Sequence, residues 1–380
     1  MKICIITSSY PLNPNDGQAA AGFFVRDFAL ALSGAGHNVY ILTQSREGYI
    51  EDNEELNIIR YEWTKEGRPL STLNLLNPFD LLKIFLLLKG GEKDLIRLIR
   101  AQKIDFCLSM WAVPSGYLAY RAYEKLGIPY AVWILGSDIW TYGKNPLFKT
   151  LLKNILDNAK KLFADGRELA KRAEEISRNN CTFLASSRVL SDPQAKISID
   201  ETKTNFLFIG RYHKHKGIDV LIEAINLIPR ELLRKMYFYI FGGGPLEKAI
   251  KAKAHQYHLE DFVSLGGFID YKEASAYLSF CSCLIIPSRI ESIPIILSDG
   301  LQMNIPLIVT DAGDMGKLVK RYAAGIVVKP QDPGELKDAI IKFSSNDKNR
   351  YSQGINDLRK IFDIQGNARF FLESISDFIH

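Results

Sequence analysis

A chain of 380 residues is too long for one comfortable hydrophobic core and long enough for two α/β domains of ordinary size. Its 48 basic and 43 acidic residues leave a net charge of +5, too mild a surplus to argue for nucleic acid, and no run interleaves aromatic with basic residues. The five cysteines, Cys4, Cys107, Cys181, Cys281 and Cys283, sit mostly in apolar runs and lack the second pair or neighbouring His of a metal site, so they read as buried thiols of a reducing compartment.

Lys2 to Thr7 predicts a strand, a loop through Pro11, Asn13, Pro14, Asp16 and Gly17 follows, and Gly22 to Ser33 repeats apolar residues at helical spacing. With Val39 to Thr43 as the next strand, this is a parallel βαβ unit without the Gly-x-Gly-x-x-Gly fingerprint, which argues against NAD. No signal peptide precedes the first strand, and no run reaches the roughly eighteen apolar residues of a membrane span, so a cytoplasmic protein is expected. Glu47 to Arg68 is polar and shows no usable period. Leu70 to Arg100 contains the apolar run Phe79 to Leu88, followed by Lys89, Lys93, Arg97 and Arg100; it fits either a buried core helix or a helix resting on a membrane.

Asp105 to Ser109 predicts a strand and Tyr117 to Leu126 a helix. The strand Ile128 to Leu135 then delivers Gly136-Ser137-Asp138 at its carboxyl end, where open parallel sheets place ligands. Trp111, Trp133 and Trp140 surround this segment, as core or as an aromatic wall of a ligand site. Helices over Leu147 to Ala159 and Glu168 to Ile176 flank a strand at Lys161 to Ala164, and Cys181 to Leu184 closes a first domain, 1–185. Ser186 to Thr204, with Pro193 and several serines, has the irregular composition of a linker.

Strand and helix alternate again across a second domain, 205–350. The strand Asn205 to Ile209 runs into Gly210-Arg211-Tyr212-His213-Lys214-His215-Lys216-Gly217, before a helix over Asp219 to Ile228. Met236 to Phe241 runs into Gly242-Gly243-Gly244-Pro245, and Phe262 to Leu265 into a second glycine turn, Gly266-Gly267. The apolar strand Leu284 to Ile286 is stopped by Pro287, a loop presents Glu291, and Pro294 suits the first position of a helix reaching about Asn304. That helix offers its positive end to an anion such as a diphosphate, and Arg211 and Lys216 are cations suited to the same charge. Asp299 shares a face with Ile295, where an acceptor-only carboxylate could hold a vicinal diol. Leu307 to Thr310 and Ala324 to Val328 are the last strands, and helices finish the chain over 351–380.

The order Gly-Arg-x₄-Lys-Gly, then Gly242-Gly243-Gly244-Pro245, then Pro-Ser-x-x-Glu-x₇-acid resembles the donor half of the family-four retaining glycosyltransferases of GT-B fold. The resemblance implies two Rossmann-like doubly wound parallel-sheet domains facing across a cleft, the final helix, about Gly366 to Ile379, crossing back to brace the first domain. It implies transfer of a sugar from a UDP-, GDP- or ADP-sugar to a hydroxyl of a glycan or lipid-linked acceptor, in cell-surface polysaccharide synthesis, with no cofactor and no metal. By the same resemblance Arg211 and Lys216 neutralise the donor diphosphate, Glu291 contacts the donor sugar, Asp299 takes the ribose, and Gly210, Gly244 and Ile295 line the nucleotide site. A loop glycine of the first domain, Gly22 with Gly17 second, approaches the phosphate, and Asp138 follows the strand end near the sugar. A helix such as Phe79 to Leu88 with basic followers implies peripheral contact with the inner membrane face in relatives that use lipid-linked acceptors.

The chain leaves the pattern at three places: Leu135 stands where the family commonly has His, Gly243 where it often has an acid, and Asp299 where it usually has Glu. Two rival readings follow. A phosphorylase or epimerase of similar two-lobed plan is one, though such phosphorylases need a pyridoxal-bearing lysine and a longer chain. A sugar-binding or nucleotide-sugar-binding protein that kept the fold without transferase activity is the other.

Overall fold

Short runs rich in Ile, Val, Leu and Phe without polar alternation, such as Ile3-Cys4-Ile5-Ile6, suit strands buried on both faces of a parallel sheet. A computed structural model of the chain describes residues 1–12, 20–46, 56–64, 73–74, 77–142, 146–190, 192–193, 197, 199–346 and 348–378. They divide into two units, Met1–Ser186 with Ile364–His380, and Ser187–Asp363.

In the first unit the elements run β1 (Lys2–Ile6), α1 (Ala20–Gly34), β2 (Asn38–Gln44), β3 (Asn57–Tyr61), α2 (Pro78–Gln102), β4 (Phe106–Met110) and α3 (Tyr117–Leu126). They continue through β5 (Tyr130–Ile134), α4 (Ser137–Tyr142), α5 (Pro146–Asn158), β6 (Lys161–Ala164), α6 (Arg167–Glu174) and β7 (Cys181–Phe183). The sheet order is β3-β2-β1-β4-β5-β6-β7, every pairing parallel, with Ile3 set between Val39 and Phe106. The edge strand β3 lies inside the polar stretch that shows no period in the sequence. Only Tyr61 of its residues is fully buried, so it lacks the apolar run that marks the central strands. The helix α2 crosses Gly90-Gly91 unbroken because those positions are packing contacts: a Cβ on Gly90 would lie 2.4 Å from the Glu62 carbonyl oxygen, and one on Gly91 2.7 Å from Leu118.

In the second unit the order is β8 (Thr204–Ile209), α7 (Ile218–Asn226), α8 (Arg230–Leu233), β9 (Met236–Phe241), α9 (Glu247–Gln256), β10 (Val263–Leu265) and α10 (Tyr271–Phe280). Then come β11 (Cys283–Ile286), α11 (Ile295–Gln302), β12 (Leu307–Thr310), α12 (Gly313–Tyr322), β13 (Gly325–Val328), α13 (Pro333–Ser344) and α14 (Ser352–Arg359). Its sheet, also wholly parallel, is ordered β10-β9-β8-β11-β12-β13. The expected α/β architecture of two doubly wound sheets is therefore the architecture observed.

The last helix, α15 (Ile364–Ile375), packs on α1 of the first unit. Its Phe371 ring lies 5.7 Å from Phe28 and 5.6 Å from Phe163, and Asn367 Nδ2 donates to the Ala185 carbonyl at 3.0 Å. Trp133 belongs to this core: it is buried, 4.9 Å from Phe28, and its indole N–H reaches the Leu184 carbonyl at 3.2 Å. The five cysteines are buried and form no disulfide.

Candidate active site

In an open parallel sheet, neighbouring strands whose connections leave in opposite directions open a crevice at their carboxyl ends. In the second unit that reversal falls between β8 and β11, and the two loops that carry the sequence motif leave from those two strands. After β8 the chain passes Gly210, whose N–H donates to the Phe241 carbonyl at 3.0 Å, then the exposed Arg211. It turns through a single 3₁₀ turn, Lys214–Lys216, opened by His213, whose Nδ1 accepts from the His215 N–H at 3.3 Å. Gly217 ends that turn in the left-handed region, φ 69°, with the space for a Cβ occupied by the Pro287 carbonyl oxygen at 1.9 Å. Only glycine lets the two loops close on each other there.

The loops are also tied by Arg289, whose N–H donates to the His215 carbonyl at 2.7 Å and whose guanidinium grips both oxygens of Asp219 at 2.7 and 2.8 Å. This bidentate pair was not legible as a site feature; it fixes the frame in which the two motif charges meet. Those charges are Lys216 and Glu291, which form an ion pair, with Ser288 Oγ 3.4 Å from the same Glu291 oxygen. Thr310 Oγ1 holds the Ser288 carbonyl at 2.5 Å, anchoring the Glu291 loop to the end of β12. Burial, with His215, Arg211 and Lys216 pressing the same way, holds His213 below the ordinary imidazole range. The loop therefore sets the Arg211 and Lys216 side chains in the same turn as a His213 ring whose charged form is disfavoured.

Gly244 follows β9 and its carbonyl accepts from Glu247 at the start of α9, while the Gly243 carbonyl accepts from Tyr212 N at 2.8 Å, so this glycine turn lies directly against the Arg211 loop. Pro294 is not inside α11 as expected; it is the residue before it, extended at φ −76°, ψ 141°, and Ile295 opens the helix. Pro cannot donate, so the position before the helix costs it nothing. The helix ends at Gln302, a little short of Asn304.

Asp299 lies on α11 as the period requires, but it is 0% exposed and both of its oxygens accept from Arg188, at 3.0 Å and 3.1 Å from Nε and 2.5 Å from Nη2. Burial pulls the Asp299 carboxyl upward, and the adjacent guanidinium works against that shift. Arg188 comes from the stretch expected as a linker; its guanidinium lies 5.2 Å over the Tyr271 ring, and its carbonyl accepts from Gln302 Nε2 at 2.6 Å. Nothing local in the sequence marks Arg188 as the partner of a residue so distant in the chain.

The remaining candidates belong to the first unit. Gly22 is buried in α1, where a Cβ would meet the Pro11 ring and backbone at 2.9 Å; Gly17 lies outside the described residues. Asp138 is buried at the start of α4, and its carboxylate accepts from Ala112 N at 2.8 Å, Gly136 N at 3.0 Å and Ile139 N at 3.2 Å. Burial pushes the pKa of its carboxyl up, and those backbone donors work against that shift. It ties the loop after β4 to the loop after β5. Leu135, beside it, is half-buried. Among the described residues no group of three or more His, Cys, Asp or Glu side chains gathers in a way that could hold a metal ion.

Residues 192–359 match the family described as Glycosyl transferases group 1. An uncharacterized glycosyltransferase of Methanocaldococcus jannaschii is 26% identical over 263 residues, 68% of this chain and 71% of that protein. A Bacillus subtilis glycosyltransferase whose name provisionally assigns it to teichuronic acid biosynthesis is 26% identical over 255 residues, 63% of this chain and 61% of the relative. Anabaena HepE, solved in complex with UDP, matches at a TM-score of 0.71 and 14% identity over 99% of this chain and all of that one, a likeness of fold. The motif loops at the β8–β11 reversal and the family match fall on the same unit: residues 192–359 match the Glycosyl transferases group 1 family, and the two doubly wound parallel sheets have the GT-B fold.

Proposed function

We propose that the chain transfers a sugar from a nucleoside-diphosphate-sugar to a hydroxyl of a glycan or glycolipid acceptor, with retention at the anomeric carbon and without a divalent metal, in the synthesis of a cell-surface polysaccharide. The observation that carries this reading is the meeting of Lys216 and Glu291 after the carboxyl ends of β8 and β11, with the exposed Arg211 in the same loop as Lys216. Lys216 pairs with Glu291; a diphosphate bearing about two to three charges is the stronger partner for a lysine and an arginine of one loop. Its arrival releases Glu291 to accept from hydroxyls of the donor sugar.

In the reaction the bond from the anomeric carbon to the diphosphate breaks, a bond to the acceptor oxygen forms on the same face, and the acceptor proton passes to the leaving phosphate oxygen. Arg211 and Lys216 stabilise the charge that grows on that phosphate, which leaves no step that requires a metal. Gly210, Gly244 and Ile295 line the nucleotide in this reading. Asp299 meets the ribose only if the buried Arg188 pair opens. Asp138 acts in the first unit through the loops it ties rather than by touching substrate.

The teichuronic acid name of one relative supports the polysaccharide assignment, and the UDP complex of HepE supports UDP-sugars as the first donors to try. The test is incubation with a panel of UDP-, GDP- and ADP-sugars without acceptor. Slow release of nucleoside diphosphate is expected from one of them. Donor binding, seen as thermal stabilisation that approaches about 2.7 kcal/mol at a hundred times the dissociation constant, with no release and no transfer to any acceptor, would favour a binding protein.

A further inference from the structure

In the transferase reading a diphosphate meets the start of α11, so the ribose joined to it is read by what that helix offers. The polar side chains of α11 are Ser298, Asp299 and Gln302, and each is engaged within the protein. Asp299 is 0% exposed and gives both oxygens to the Arg188 guanidinium. Ser298 Oγ donates to the Ile295 carbonyl at 2.8 Å. Gln302 is used at both ends: its Nε2 donates to the Arg188 carbonyl at 2.6 Å, and its Oε1 accepts from Leu190 N at 3.2 Å. What the first turn of the helix leaves half-buried is Ile295 and Ile296, two apolar side chains.

A ribose differs from a 2′-deoxyribose by one hydroxyl, and a site tells them apart through a polar group that bonds it. A carboxylate held open for the vicinal diol would do so, because losing one hydrogen bond to a charged group weakens binding by about tenfold or more. Asp299 is the carboxylate of α11, and a charged planar fork fits it better than a neutral diol does. Arg188 is held in turn, its guanidinium 5.2 Å over the Tyr271 ring and its carbonyl on Gln302, so further contacts must break before the pair opens. Opening it would also strand a buried charge. A hydroxyl turned toward Ile295 gains no partner there, and the methylene that replaces it in a deoxyribose loses none.

We propose, resting on the transferase reading of this site, that the chain does not read the 2′-hydroxyl and takes 2′-deoxyribonucleoside diphosphate sugars as donors as well as ribonucleoside ones. Arg188 sets this breadth by holding Asp299 inside the protein. The transfer itself is unaltered, because the missing hydroxyl takes no part in the bond that breaks or the bond that forms.

The test is isothermal titration calorimetry of the full chain with matched pairs, UDP against dUDP, GDP against dGDP and ADP against dADP. For whichever base binds, the deoxy form binds no more than about threefold more weakly than the ribo form, less than the loss of one charged hydrogen bond would give. Asp299→Asn, with circular dichroism to confirm its fold, moves both affinities by the same factor; where that variant does not fold, the wild-type pair decides alone. A ribo form favoured by more than about threefold in the wild type, or a ratio that Asp299→Asn shifts by more than that, overturns the proposal and leaves the transferase reading standing. Binding of none of these nucleotides overturns the transferase reading and the proposal with it.

Discussion

Arg188 and Asp299 form a bidentate ion pair, 3.0 Å from Nε to Oδ1 and 2.5 Å from Nη2 to Oδ2, in which the arginine is 8% exposed and the aspartate not at all. The pair joins the segment after Ser187 to the middle of α11, and Gln302 adds a second tie one helical turn on. Removing one partner strands a buried charge, which costs far more than removing both. Arg188→Met should therefore destabilise the chain by about 3–5 kcal/mol in urea unfolding, and Arg188→Met with Asp299→Leu should recover most of that loss. Equal losses in the single and double variants would mean the pair contributes through packing alone.

Gly217→Ala should fail at the loop rather than in the core. Its backbone is left-handed and the Pro287 carbonyl already fills the space of a Cβ, so the substitution should cost about 1–3 kcal/mol and displace Lys216. Gly34→Ala, where a Cβ meets nothing within 4 Å, is the control and should be close to neutral. Donor KM should rise in the first variant and not in the second. Unchanged KM in both would detach the turn from donor binding.

Asp138→Ala should harm the protein more than Leu135→Ala. The aspartate satisfies three backbone donors, and leaving buried N–H groups unpaired costs about 1–3 kcal/mol for each, so stability and turnover should fall together. Leu135 is half-buried, and its truncation should cost less than about 2 kcal/mol, the low end for a leucine. Loss of turnover at full stability in Asp138→Ala would instead make Asp138 a residue that touches substrate.

The strands of both sheets other than β3, and both motif loops, were readable because buried parallel strands carry unbroken apolar runs and because the motif sets glycine and cations at fixed spacings. What escaped had no such local mark. β3 is an edge strand with one fully buried residue, and Arg188 sits in a polar, proline-containing stretch whose only structural fact is a partner far along the chain. The position of Pro294 shows the same limit on a smaller scale: its type fits the last residue before a helix as well as the first within it. Exposure of the outer face of α2 is a matter of what the neighbouring elements leave uncovered, which periodicity within one helix does not report.

Turnover should survive a chelator. In the proposed reaction Arg211, Lys216 and the start of α11 would supply the positive charge the leaving diphosphate needs, so ethylenediaminetetraacetate should leave the rate within about twofold. A rate abolished by the chelator and restored by magnesium or manganese would remove the metal-free reading.

The most direct test of the account is the rate at which a single donor turnover releases nucleoside diphosphate, compared between the wild type, Arg211→Ala and Lys216→Ala at saturating donor. In the proposed reaction each substitution removes charge that stabilises the departing phosphate in the transition state, so release should slow by about two to three orders of magnitude while unfolding in urea changes little. Release at wild-type rates from both folded variants would contradict the assignment of the donor site.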